Sequence, residues 1–205
     1  MLKMFLQKGT GGFLLYGGKT VSAVQTALGF ESPGRELTPL EMAELAKIFR
    51  DSLDLAPIRL KLGKIGVFGL GGAPFTHGNT IYVPVGGWLA AGSDTVPDHL
   101  LAHEATHVWQ FQNGGSDYMT LSLVNQFHGW YSSGDRGAAY NFEEGIKGGK
   151  TWAQLNPEQQ AALIEYAYIF GMFDDEAKLF EWNGADYTEF ARKAIEHLRN
   201  GEGAP

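Results

Sequence analysis

Apolar and polar positions along this chain follow a helical period at several places and a strand period between the first two of them. Over Pro39 to Leu53, "PLEMAELAKIFRDSL", the residues Leu40, Ala43, Ile48 and Leu53 supply much of an apolar stripe, which predicts an amphipathic helix over 39–53. Thr38 can cap it, Pro39 suits its first position, and Glu41 completes a capping box. Ile58, Leu60 and Leu62 then alternate with polar residues, as in a half-buried strand, and a second strand is expected around Val67. A Gly-Asn turn precedes the β-prone run Thr80 to Val83, which Pro84 closes or marks as an edge. A long helix follows, with Asp94 or Thr95 as cap, Pro97 and Asp98 near its first turn, and Asn113-Gly114-Gly115 at its end. Residues 116–133 read as helical or mixed, and 132–151 as a polar, glycine-rich connection. Asn156 and Pro157 open another helix, in which Ala162, Tyr166 and Ile169 recur near helical spacing, and a last helix covers roughly 186–199. This order predicts an α+β fold, with one domain over 37–200, a glycine-rich lead-in of short strands, turns or flexible chain over 1–36, and a flexible tail over 201–205.

The long helix carries His103, Glu104 and His107 in the order H-E-x-x-H. Residues four apart share a helix face, so both imidazoles can converge on one cation, while Glu104 falls about 100° to the side. That is the arrangement of a zinc hydrolase: two imidazoles hold the metal, an open position binds water of lowered pKa, and the carboxylate takes the water's proton. The bland alternative is a solvated helix face. Leu100, Leu101, Ala105 and Val108 argue against it, because imidazoles set among apolar residues are costly to bury without a partner. His99 adds a third rung, but at ~1.5 Å per residue it lies about 12 Å from His107 along the axis, so only one adjacent pair can chelate. The 99/103 pair would have Leu100 where the base is needed, which makes His99 a surface or rim residue. His77, in a turn, and His128, before Gly129-Trp130, read as structural or exposed.

The chain has no cysteine, so every metal ligand must be a histidine or a carboxylate. A third ligand downstream is open among Asp117, Asp135, Glu143, Glu144, Glu158 and Glu165. Asp117 follows the helix too closely to return to its middle, and Asp135, Glu143 and Glu144 lie in the glycine-rich connection. Glu158 opens a helix beside the small residues Ala161 and Ala162, though it also suits a first-turn glutamate that merely complements the dipole; Glu165 follows two turns on along roughly the same face. Tyr140 is a candidate to stabilise an oxyanion, against the commoner role of a half-buried tyrosine with its hydroxyl at the surface. Trp109 and Phe111 read as packing, and Gln110 and Gln112 as polar-face residues of which one can support a zinc ligand. A net charge of -7 and the lack of a basic run argue against a nucleic-acid partner. With 205 residues, 44% of them hydrophobic, the chain can bury a sizeable core. No stretch approaches the ~18 apolar residues of a membrane span, and the N-terminus is a poor signal peptide, so a soluble protein is expected.

"LLAHEATHVWQFQ", with "AAYNFEEGIKGGKTWAQLNPEQQAALIEYAY" downstream and "LTPLEMAELAKIFRDSLD" and "THGNTIYVP" upstream, resembles the zincin-like metallopeptidase domains associated with bacterial contractile (type VI) secretion systems, including Vgr- and Rhs-linked effectors. The likeness covers roughly residues 37–170, and HExxH combined with "HVWQ" and "NPEQQA" is considerably more specific than HExxH alone. It implies a zincin fold, an active-site helix under a small, mostly antiparallel sheet with further C-terminal helices, and an edge strand at about Asn79–Pro84 that aligns an extended peptide by β-addition. It implies zinc as cofactor and a gluzincin-type third ligand, which this chain offers as Glu158. The activity implied is that of a peptidase acting on protein or peptide, a toxin-like effector with a secretion-system spike or an immunity protein as further partner. Its place would be the bacterial cytoplasm, or wherever delivery without a signal peptide takes it. A cell-wall peptide amidase and a catalytically silent adaptor of a secretion machine are the alternatives. Glu104 speaks against the last, since a purely structural zinc site has no use for a base.

Overall fold

The computed structural model describes residues 34–62, 74–83, 98–115, 139–175 and 178–205, together with Tyr16, Lys19, Thr20 and Ala23. Val67, Pro84, the proposed caps Asp94 and Thr95, Pro97, Asp117, His128, Asp135 and the stretch 116–133 lie outside the described residues. Within 1–33, a stretch read as short strands, turns or a flexible lead-in, the four described positions are helical. The Thr20 hydroxyl donates to the Tyr16 carbonyl one turn back.

Helix α1 (Pro39–Phe49) and the 3-10 turn Arg50–Ser52 fill the segment expected to be helical. The capping box is present: the Glu41 amide donates to Thr38 Oγ1 at 3.2 Å, and the Thr38 amide donates to Glu41 Oε2 at 2.8 Å. Glu41 is itself buried and gripped by both Arg35 guanidinium nitrogens. That inward-facing carboxylate sets the phase of the helix, so Leu45, Ile48 and Phe49 face the core, while Leu40 is 74% exposed and Ala43 faces solvent. The expected stripe was therefore right at Ile48 and Leu53 and wrong at Leu40 and Ala43. Replacing Thr38 by Ala removes the cap acceptor and should lower stability by about 1 kcal/mol, read as a shifted urea midpoint at unchanged slope.

Strands β1 (Arg59–Leu62), β2 (Phe75–His77) and β3 (Thr80–Val83) form one sheet in the order β1-β3-β2. Gly78, at a φ of 62° that suits glycine, turns β2 back onto β3 as an antiparallel pair, with Thr76 opposite Ile81. β1 runs parallel to β3, and its outer side is met by an antiparallel bridge from Arg35. Two expectations are corrected here. The sheet is mixed rather than mostly antiparallel, and β3 is its middle strand; among the described residues its outer strands are β1 and β2. The misreading has a physical source: Phe75–His77 is only three residues long, too short to show alternation, yet it takes the place beside β3. Ile58 and Leu60 are buried as expected, whereas Leu62 is exposed.

Helix α2 (Asp98–Gly114) passes beneath the sheet, touching β2 and β3 on one side and helix α4 (Pro157–Ile169) on the other. Every residue from Leu101 to Gln110 is buried, the burial of a helix enclosed on all sides rather than an amphipathic one. Trp109 is fully enclosed and donates from its indole nitrogen to the Leu198 carbonyl. Gly115, at φ 87°, ends the helix by donating to the Phe111 carbonyl. The stretch read as a polar connection contains helix α3 (Phe142–Lys147), whose Phe142 is buried beside Tyr166, Phe180, Trp182 and Tyr187. A helix of six residues is too short for a periodic signal. Gly145 lets it approach closely, since a Cβ there would lie 2.6 Å from Leu155 Cδ2.

Asn156 caps α4 in a reciprocal pair with Gln159, with Pro157 at its first position as expected. Its buried face is Ala161, Ala162, Leu163, Ile164 and Ala167; Tyr166 is half-buried, while Ile169, counted in the expected stripe, is exposed. A hairpin of β4 (Glu181–Trp182) and β5 (Ala185–Asp186) was missed, although its turn, Asn183-Gly184 with φ of 49° and 76°, is a strong hairpin signal. Helix α5 (Thr188–Arg199) matches the expected last helix. Of residues 201–205, read as a flexible tail, Glu202 and Gly203 accept hydrogen bonds through their backbone carbonyls. Trp152 Nε1 donates to the Glu202 carbonyl and Gln160 Nε2 to the Gly203 carbonyl, each at 2.9 Å. The glycines that suggested flexibility serve this path: Gly201 and Gly203 are at φ 72° and 81°. No helix among the described residues is long and apolar enough to cross a membrane.

Candidate metal centre

His103 and His107 project from α2 towards the first turn of α4, where Glu158 projects back. Glu158 Oε2 lies 3.5 Å from His103 Nε2 and 3.3 Å from His107 Nε2, and all three side chains are buried. Tetrahedral bonds of ~2.0–2.1 Å set neighbouring ligand atoms roughly 3.3–3.4 Å apart, and these two distances are compatible with a small metal ion held between the three side chains. The three residues form the group among the described residues that can hold a metal ion. Ala161 and Ala162 are both buried on α4, the helix that packs against α2.

Both imidazoles are held from behind. His103 Nδ1 is 2.9 Å from Glu165 Oε2, and His107 Nδ1 is 2.8 Å from Gln110 Oε1. The two acceptors leave the Nε2 atoms to face Glu158. Glu165, the runner-up for third ligand, thus sits on the far side of His103, while Glu158 stands where both imidazoles meet. Glu143 is tied to Lys147, Asn183 and Tyr187, whose hydrogen bonds hold its carboxyl down at about 2, and Glu144 is exposed. His99 is half-buried one turn before His103 and outside the ligand group, as expected, and His77 is buried on β2, also outside it.

Glu104 is buried beside the two histidines. The Thr76 hydroxyl, on β2, lies 2.8 Å from its Oε2 and 3.0 Å from its backbone carbonyl, so its single hydrogen serves one acceptor at a time. Burial pushes the Glu104 carboxyl above its ordinary range, against the imidazoles and the Thr76 bond. Burial also opposes charge on His103, but Glu158 and Glu165 outweigh it and push the imidazolium up to about 10; His107 is raised by Glu158 in the same way. Glu158 is held well below the carboxylate range, since the histidines overcome its burial. Three carboxylates around two imidazoles in an apolar surrounding favour a bound cation. The Tyr140 ring is half-buried, 5.8 Å from the His103 ring between centroids.

Thr76 was not singled out from the sequence, and between Gln110 and Gln112 the choice of which stands behind a histidine was left open. Gln110 is buried behind His107, whereas Gln112 bonds the Asp54 backbone and the Asn79 side chain. Position three after the second histidine was the signal that could have chosen Gln110 over Gln112; for Thr76, on another element, there was none. Comparison with protein-family models, curated proteins and solved structures gives no match for this chain.

Proposed function

We propose that this chain is a zinc-dependent metallopeptidase with His103, His107 and Glu158 as metal ligands. The observation that carries this reading is the convergence of both Nε2 atoms and Glu158 Oε2 at tetrahedral-edge distances, with a buried carboxylate, Glu104, alongside. Bound zinc would supply a water whose pKa falls towards ~7. Glu104 is placed to take the proton of that water, and its burial raises its affinity for it. Thr76 orients the Glu104 carboxylate from the sheet edge. Tyr140, beside His103, is the group we assign to donate to the oxyanion that forms when a carbonyl is attacked. The zincin fold, and a place among the secretion-system effectors that the chain resembles, belong to the same proposal, and they are supported by the motif set and by a helix lying under a small sheet.

The test is zinc removal and return. Purified protein should carry about one zinc per chain and cleave members of a broad peptide library; a chelator should abolish cleavage, and added zinc should restore it. Release of cell-wall peptides without cleavage of the library would transfer the reading to an amidase. Full zinc occupancy with neither activity would leave an adaptor.

A further inference from the structure

Behind His107 lies a chain of two side-chain amides whose ends are backbone carbonyls. Gln160 Nε2 donates to the carbonyls of Trp152 and Gly203, each at 2.9 Å. Gln110 Nε2 donates to the Pro157 carbonyl at 3.0 Å and to Gln160 Oε1 at 2.9 Å. Gln110 Oε1 meets His107 Nδ1 at 2.8 Å, and both glutamines are fully buried.

These partners decide which way round each group sits. A backbone carbonyl only accepts, so the Gln160 end that faces two of them must be its NH2. Its oxygen then faces Gln110 and must receive a hydrogen. The Gln110 end facing that oxygen and the Pro157 carbonyl is therefore also an NH2, and both of its hydrogens are used. What remains for His107 is the Gln110 oxygen, which can only accept. His107 Nδ1 must carry a hydrogen, and its other nitrogen, Nε2, is the one left for a metal. Reversing either amide would set oxygen against oxygen at a buried site and leave buried acceptors without a hydrogen.

We propose that Gln160 and Gln110 are positioning residues that fix the tautomer of His107, holding Nδ1 protonated so that Nε2 is presented to the metal. This inference rests on the metal-centre reading and extends it. It makes the orientation of one ligand depend on three backbone carbonyls, those of Trp152, Pro157 and Gly203. His103 is fixed differently, by the carboxylate of Glu165.

The experiment uses zinc as the probe. In zinc-loaded wild-type protein, nitrogen-15 NMR of the imidazoles should show His107 bound through Nε2 with a hydrogen on Nδ1; a His107 bound through Nδ1 overturns the proposal and needs no variant. Q110M and Q160M should each weaken zinc binding about 10–100-fold in competition with a chelator, and shrink the zinc-induced rise in Tm. Variants that lose Tm equally with and without zinc, at wild-type zinc affinity, would show a merely structural amide pair and overturn it. Wild-type protein that binds no zinc would instead overturn the metal-centre reading, and this inference with it.

Discussion

Glu104→Gln protein should keep about one zinc per chain and lose at least ~100-fold in kcat, the usual scale for removing an acid–base group. The substitution preserves shape at a buried position, and the Thr76 hydroxyl can still donate to the amide oxygen. What it removes is the ability to accept a proton. Burial raises the carboxyl, so the group replaced is one already inclined to take that proton. Zinc content and steady-state rates measured on the same preparation decide the matter. A variant that lost its zinc would make Glu104 a ligand, and one that kept its rate would remove it from the chemistry.

The second large effect separates two glutamates on one helix. Glu158→Ala should abolish measurable zinc binding, because it deletes the oxygen at which both imidazoles converge. Glu165→Ala should weaken binding only about 10–100-fold, the range for losing a partner that orients a ligand. The same chelator competition applied to His99→Ala should give the wild-type value, since His99 stands outside the ligand group. A greater loss at Glu165 than at Glu158 would exchange their roles.

The parts of this site legible in the sequence are those that one helix determines. His103, Glu104 and His107 are fixed relative to each other by helix geometry alone, and the caps of α1 and α4 by residues three apart. Glu158 was reachable through the small residues beside it and the resemblance, but its distance to the histidines depends on how α4 packs on α2. Thr76 is 28 residues from Glu104, and Gln160 is 50 from Gln110, separations over which no local pattern reports contact. Short elements failed for a related reason: α3 and β2 take their structure from what they pack against and have too few residues to show a period. Leu40 failed differently, because the buried carboxylate of Glu41, paired with the half-buried Arg35, turned the helix away from its most apolar reading.

The strand of chain after α5 has a consequence for how this protein can drift. Its bonds to Trp152 and Gln160 are made by the carbonyls of residues 202 and 203, which every amino acid possesses. Two letters are constrained. At Gly203 a Cβ would lie 2.6 Å from Trp152 Cδ1, and at Gly201 one would lie 2.8 Å from Asn113 Oδ1. Among the described residues the Glu202 side chain bonds only the exposed His197, so its identity is open to change. Length is not open, because one inserted or deleted residue before Gly203 moves its carbonyl off Gln160, whose amide stands behind Gln110 and His107. Among diverged copies of this gene, this strap should be recognised by a missing tolerance for gaps and a fixed G-x-G, while the letter between the glycines varies.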